Sequence, residues 1–249
     1  MHESTHVRIA KALSKKMCFT SKQEKIFIMA IVEPDKWRRK NPRSKHHYLK
    51  RETIINLVMM ARTSLLRGEV SSCLRQLGVA LHFVQDACLP SPRTKHRRKV
   101  HASLEGKIKS LPIPEEDINA GFRFSWSSPR FIENVVSNIR WAYDAETALS
   151  QATRAFAEIV AAVFGSKDPP NGLPENYRIM KKSHNKRILK ASAISMLSLI
   201  AGSFLSLVTG KGFLLLLSLF SPFLVFSTLV WNDRKFYEIE REAKWYGIE

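Results

Sequence analysis

The sequence predicts an all-α protein in which a helical domain is followed by a two-helix transmembrane hairpin. Apolar residues recur at the three- and four-residue spacing of a helix through most of the chain, and no strand-like alternation of apolar and polar residues stands out. The pattern His-x-x-x-acid occurs twice within residues 77–105. Two nearly uncharged apolar runs, 191–208 and 213–231, lie near the C-terminus.

The two histidine–acid pairs are His82 with Asp86 and His101 with Glu105. Residues four apart share one face of a helix, so each pair directs an imidazole and a carboxylate to one point. These groups are ordinary ligands of zinc and similar cations, and Pro90 separates the pairs so that two helices can face each other. A hydrogen-bonded core histidine is the simpler interpretation of one such pair. Burying His and Asp together is costly without a partner, so the second pair favours a metal site.

The N-terminal residues 2–16 suit a short amphipathic helix. It begins with His2 and His6 in a formal His-Glu-x-x-His match, which here lies too close to the chain start to indicate a protease. Both histidines are candidate ligands, with an exposed terminal histidine as the alternative. A capping box starting at Ser21 predicts a second helix that ends near Pro34. Asp35 would then be an oriented carboxylate at a helix exit, or simply a turn-forming aspartate.

A basic loop is predicted over residues 36–51, containing His46 and His47; it forms either a solvated surface or a phosphate-binding segment. An aromatic loop is predicted over 122–129. The remaining helices of the soluble part are predicted over residues 53–66, 71–89, 95–109 and 132–164.

Composition limits the classes of partner. The 249 residues include 40 Lys and Arg against 22 Asp and Glu, a net charge of +18. Such a charge indicates an anionic partner, either nucleic acid or an anionic membrane surface. Cys73 and Cys88 lie in apolar helical contexts and are predicted to be buried thiols rather than a disulfide. The N-terminus has no apolar core of a signal peptide.

The hairpin is predicted over residues 188–231, after a linker over 166–187. Each apolar run approaches the ~20 residues that span a bilayer, and only four residues connect them. Lysines and arginines flank both outer ends, which predicts a cell-membrane protein with two passes and a cytoplasmic domain over 1–165. The cytoplasmic tail, 232–249, is predicted to be an amphipathic helix at the membrane surface. A buried apolar hairpin in a soluble protein is the alternative.

The order of these segments resembles the zinc-dependent phospholipase C and single-strand-specific zinc nuclease superfamily, over roughly residues 1–165. The resemblance implies an all-helical metallophosphoesterase domain with a trinuclear zinc site. It implies that Asp86 bridges two metals and that Asp35 lies beside the attacking water as the catalytic carboxylate. The implied metal ligands are His6, Asp35, His46 (with His47 as second choice), His82, Asp86, His101 and Glu105.

The chain departs from that family's pattern in three places. Pro92 stands where the family carries another histidine, and His96 is a possible replacement. Secreted members also use the α-amine and carbonyl of a processed N-terminal residue, for which His2 can substitute here. The family is typically exported, whereas this domain is predicted to remain inside. Two or three zinc ions are therefore expected.

Three functions fit these expectations. The first is a membrane-anchored phosphodiester hydrolase of phospholipase C type, in which metal-activated water attacks a phosphodiester and the basic loops contact anionic lipid headgroups. The second uses the same site on single-stranded nucleic acid. The third is a non-catalytic, metal-stabilised membrane scaffold. A lipid substrate is favoured over nucleic acid because the anchor holds the site at the interface.

Overall fold

The computed structural model describes residues 1–40, 51–91, 94–231 and 233–248, and over these residues the protein is all-α, as predicted. The chain divides into two compact units, Met1–Lys167 and Asp168–Glu249. The described helices of the first unit are α1 (Glu3–Lys16), α2 (Ser21–Lys40), α3 (Arg51–Leu66), α4 (Val70–Ala87), α5 (Lys95–Ser110), α6 (Glu115–Phe124), α7 (Pro129–Asn138) and α8 (Ala145–Phe164).

Helix α4 is the centre of the first unit. Its residues from Leu77 to Asp86 are all buried, and it packs against α2, α3 and α8. Because every face of its C-terminal half is covered, the polar side chains on that half must find partners inside the protein. Those polar side chains include His82 and Asp86, so the central helix also carries residues of the candidate site.

Helix α2 differs from its prediction at both ends. Its capping box starts one residue earlier than predicted: Thr20 accepts a hydrogen bond from the backbone N–H of Gln23, and the Gln23 side chain accepts one from the Thr20 N–H. The predicted end near Pro34 is wrong, because the helix continues through Pro34 to Lys40. A proline inside a helix costs about 3 kcal/mol, which the packing of α2 against α1 and α4 offsets.

The single long helix predicted over 132–164 is also wrong. Helix α7 ends at Asn138, and α8 begins after Asp144, whose side chain accepts a hydrogen bond from the Thr147 N–H at 2.7 Å. A strong N-cap restarts the helix there. Helix α6 was not predicted, although Pro114 and three acidic residues in its first turn are a typical helix start.

Gly78 permits the closest approach of α4 to α2. A Cβ at this position would lie 2.7 Å from the Ala30 Cβ and 3.1 Å from the Ile31 nitrogen, so any side chain would push the two helices apart. The glycine therefore sets the distance between two helices that both carry candidate site residues.

We expect Gly78→Ala to lower the free energy of unfolding by roughly 1–3 kcal/mol, because overpacking forces the backbone to shift. Gly106→Ala is the matched control, since a Cβ there meets nothing within 4 Å and α5 should gain about 0.5–1 kcal/mol. Thermal unfolding of the detergent-purified chain measures both effects. Equal stability of the two variants would contradict the close-approach argument.

The second unit contains the candidate membrane segment. Its helices are α9 (Leu173–Thr209), α10 (Phe213–Phe226) and α11 (Arg234–Trp245), with a π-helical segment over Ser227–Trp231. Within the described residues, α9 is the one helix that alone is long and apolar enough to cross a bilayer. It begins inside the stretch 166–187 that the sequence assigned to a linker. Helix α10 packs against α9.

The apolar face of helix α11 packs inside the second unit. Phe236 and Ala243 pack with Tyr177 of α9, and Trp245 is fully buried. The His184 ring stacks on Phe236 with centroids 3.9 Å apart, and its Nδ1 lies 3.2 Å from the Asp233 carboxylate. The face expected to rest on a membrane surface is therefore covered by α9.

Candidate metal centre

Each of three histidines has one ring nitrogen fixed by an oxygen acceptor. The Nδ1 of His82 lies 2.8 Å from the Ile31 carbonyl oxygen, and the Nδ1 of His101 lies 2.8 Å from the Pro90 carbonyl oxygen. The Nδ1 of His6 lies against the Gln85 side-chain oxygen. A carbonyl oxygen only accepts, so each Nδ1 carries the proton and donates it.

The opposite ring nitrogens are directed at carboxylates. The Nε2 of His6 lies 3.3 Å from Asp86 Oδ1, and the Nε2 of His82 lies 3.4 Å from Asp86 Oδ2. The Nε2 of His101 lies 3.3 Å from Glu105 Oε1. Neither His6 Nε2 nor His82 Nε2 has a hydrogen-bond partner, and both are buried. A ring that carries its proton on Nδ1 presents a lone pair to the carboxylate oxygen, and a cation bound between the two atoms would satisfy both.

Asp86 offers one oxygen to each of two imidazoles. The His6 and His82 rings are stacked with centroids 4.3 Å apart, and their Nε2 atoms face the two oxygens of that one carboxylate. Two imidazoles and a carboxylate are thus directed at one small region. Asp35 extends the group, since its Oδ1 lies 4.0 Å from His82 Nε2. One ligand atom each from His6, Asp35 and His82 falls within 4.8 Å of the others.

The α-amine of Met1 joins the two pairs. It contacts Asp86 Oδ1 and lies 3.3 Å from Glu105 Oε1. Burial alone would lower the pKa of this amine, but the charges of Asp86 and Glu105 outweigh burial and raise it. Burial would raise the pKa of Glu105, yet the adjacent His101 ring and the nearby charged amine lower it to about 2.

The protonation states suit metal binding. Burial is the main cause that lowers the pKa of His6, so its imidazole is neutral and can act as a ligand. Burial raises the pKa of the Cys88 thiol to about 12, so this sulfur remains protonated although it lies two residues after Asp86. Cys73 is likewise a buried free thiol, as the sequence predicted.

The donor set fits zinc. Imidazole nitrogens with carboxylate oxygens are the ligands that zinc prefers in catalytic sites, and histidines held through Nδ1 are typical of metal sites. Three carboxylates, Asp35, Asp86 and Glu105, lie beside these rings, and the Met1 amine balances only part of their negative charge. The structure brings together six of the residues that the sequence predicted as ligands. They are His6, Asp35, His82, Asp86, His101 and Glu105.

Other predicted ligands lie elsewhere. His2 is exposed and caps α1, where its Nδ1 accepts a hydrogen bond from the Ser4 N–H at 3.2 Å. It is therefore a helix cap rather than a member of the cluster, and the Met1 amine lies at the centre instead. His96 is exposed near the start of α5. His46, His47 and Pro92 lie outside the described residues.

Asp35 occupies a different local structure from the one predicted. It lies inside α2, four residues after Ile31, rather than in a turn after the helix. Ile31 and Asp35 share one face of α2, so the helix provides both the carbonyl that fixes His82 and a carboxylate beside its other nitrogen.

Gln85 is the residue that sequence reasoning missed. It precedes Asp86 on a helix that is buried all round, where a glutamine is uncommon, and that burial was the available signal. The side-chain oxygen of Gln85 orients the His6 ring, so Gln85 affects the centre through His6.

We expect Gln85→Leu to weaken zinc affinity by roughly 10–100-fold, because His6 loses the acceptor that fixes its ring and tautomer. Gln85→Glu keeps an acceptor at this position and should retain most of the affinity. Competition with a chromophoric chelator measures the dissociation constants. Unchanged affinity in the leucine variant would contradict the orienting role.

No family model, no curated protein and no solved structure matches this chain. The chemistry of the site therefore rests on its own geometry.

Proposed function

We propose that the chain is a membrane-anchored, zinc-dependent phosphodiester hydrolase of the phospholipase C type. The observation that carries this proposal is the set of three imidazoles, each held through Nδ1, whose Nε2 atoms face the carboxylates of Asp86 and Glu105. The ordered segments that resemble the zinc phospholipase C and nuclease superfamily support the same reaction class.

The residues divide into two groups around the centre. His6, His82, Asp35 and Asp86 would hold a cation at one end of the centre. His101 and Glu105 would hold a further cation at the other end. When bound, clustered divalent cations lower the pKa of water and stabilise the negative charge that develops at phosphorus.

Of the two carboxylates beside His82, Asp35 is the one open to solvent. Its side chain is 18% exposed, whereas the side chain of Asp86 is 1% exposed. A water molecule can therefore reach Asp35 while Asp86 remains enclosed as a ligand. Asp35 would orient the attacking water and accept its proton, as a general base within hydrogen-bond reach does.

A membrane anchor favours a lipid substrate. Helix α9 is long and apolar enough to cross a bilayer, and its exposed apolar side chains include Leu207 at 83% and Phe204 at 65%. We propose that α9 and α10, with the segment that follows α10, form a two-helix transmembrane hairpin over residues 188–231. The basic flanks at both outer ends support a cytoplasmic location for the first unit and the C-terminus, at the cell membrane.

The test is metal analysis of the detergent-purified full chain together with turnover on two substrates. We expect two or three equivalents of zinc, and hydrolysis of a phospholipid that a chelator abolishes. Hydrolysis of a single-stranded oligonucleotide alone would assign the second function considered above. Full zinc occupancy without turnover on either substrate would indicate the scaffold, and absence of zinc would overturn the proposal.

A further inference from the structure

An exposed surface of aromatic and basic side chains lies beside the candidate centre. It consists of Trp141 and Tyr143 from the loop between α7 and α8, with Arg97 and Arg98 from α5. Trp141 is 42% exposed and Tyr143 is 69% exposed. We call this surface the aromatic–basic patch.

The patch is held in place by specific contacts. The Trp141 and Tyr143 rings meet edge to face with centroids 4.6 Å apart, and the Arg97 guanidinium lies 5.8 Å from the Trp141 ring centroid. Between the two aromatic residues, the Ala142 N–H donates to the Cys88 carbonyl oxygen at 3.1 Å. The loop is therefore anchored at Ala142 while its two aromatic side chains remain in solvent.

The same contacts tie the patch to the centre. Cys88, which anchors the loop, follows Asp86 by two residues at the end of α4. Arg97 precedes His101 by one helical turn, and Glu105 follows His101 by another, so the three side chains share one face of α5. A molecule bound at the patch would therefore lie next to the turn of α5 that carries His101.

The chemistry of the patch fits an anionic lipid surface. Trp and Tyr prefer the headgroup level of a bilayer, where the ring is partly buried and its polar atom stays hydrated. Residues 95–99 are all Lys, Arg or His, and residues 94–103 contain no acidic residue. The nearest acid in the loop, Asp144, is occupied as the N-cap of α8. Each Lys or Arg close to an anionic membrane favours binding by about fivefold.

We propose that the aromatic–basic patch is an interfacial docking surface of the first unit, which binds anionic phospholipid headgroups and presents them to the candidate centre. A lipid surface is favoured over single-stranded nucleic acid because the same chain carries a helix able to cross a bilayer. Presentation of lipid to the candidate centre rests on the proposed function. Docking of the patch on a lipid surface does not, and it can be measured without turnover.

The experiment uses the full chain in nanodiscs of phosphatidylcholine, with or without phosphatidylserine, that contain a headgroup-nitroxide lipid. Subtracting the emission of Trp141→Phe from that of the parent chain isolates the Trp141 fluorescence. We expect the nitroxide to quench this component, more strongly in the anionic discs. Arg97→Gln with Arg98→Gln should reduce the docking equilibrium by about fivefold per arginine and relieve the quenching.

The matched control is Lys107→Gln with Lys109→Gln, which removes the same charge from exposed positions at the other end of α5. Quenching should persist in this control. Absence of lipid quenching at Trp141, or equal relief in both double variants, would overturn the docking surface. Protection of Trp141 by a single-stranded oligonucleotide, without quenching by lipid, would overturn it in favour of nucleic acid.

Turnover in the same nanodiscs separates this inference from the proposed function. Quenching of Trp141 without phospholipid hydrolysis would count against the catalytic proposal alone. Hydrolysis without quenching would count against the docking surface alone.

Discussion

Replacing Asp86 with Asn should, on the proposed function, abolish hydrolysis and release most of the zinc. The carboxylate contacts the Nε2 atoms of both His6 and His82, so the variant removes negative charge from two positions at once. Loss of an orienting partner alone typically weakens metal affinity by about 10–100-fold, and loss of a shared ligand should exceed that range. Elemental analysis and a turnover assay on the same preparation measure the two effects.

Glu116→Gln is the control for the change in charge. Glu116 is exposed on α6, and its replacement should leave zinc content and turnover unchanged. Far-ultraviolet circular dichroism checks that the Asp86→Asn variant keeps its helices. Full zinc occupancy and full activity in that variant would show that the centre is not built around Asp86.

Replacing Arg62 with Met should cause a large loss of stability. Arg62 is fully buried on α3, and its guanidinium donates to the carbonyl oxygens of Val163 at 2.6 Å, Gly165 at 3.1 Å and Ser166 at 2.5 Å. These carbonyls lie at or beyond the C-terminal end of α8, where the helix dipole also favours a positive charge. Methionine keeps much of the apolar stem and leaves the carbonyls without this donor.

The expected cost is roughly 3–5 kcal/mol, because three carbonyl oxygens lose their donor and each buried unsatisfied acceptor costs about 1–3 kcal/mol. For a unit of this size the melting temperature should fall by roughly 10 °C. Arg154→Met is the matched control, because Arg154 is 48% exposed and its ion pair with Glu158 is worth less than about 1 kcal/mol. A similar melting temperature for both variants would contradict the capping role of Arg62.

The sequence predicted which of these side chains lie close together better than it predicted the helix boundaries. Helical spacing alone pairs His82 with Asp86 and His101 with Glu105, because that spacing is a property of the backbone. The course of α2 through Pro34 could not be predicted, since packing against α4 overrides the local cost of proline. Gln85 was missed although a glutamine in an otherwise apolar helical run indicates a buried side chain that needs a partner; the sequence does not show which residue that partner is.

The break between α7 and α8 shows a similar limit. Asp144 is a recognisable helix start, but the apolar spacing over 132–164 runs through it. The hydrogen bond from Ala142 to Cys88, distant in sequence, is what favours a loop there. The second membrane span stays a prediction, since α10 and the π-helical segment are long and apolar enough to cross a bilayer only when α11 is counted with them, across a bend of 58°.

The centre draws its side chains from four helices, α1, α2, α4 and α5. Ions held there would act as cross-links between segments that are far apart in the chain, and binding would be linked to folding. Saturation at about 100 times the dissociation constant adds about 2.7 kcal/mol to stability. A chelator would then behave as a mild denaturant of the first unit, and the buried thiols of Cys73 and Cys88 would become reactive as it opens.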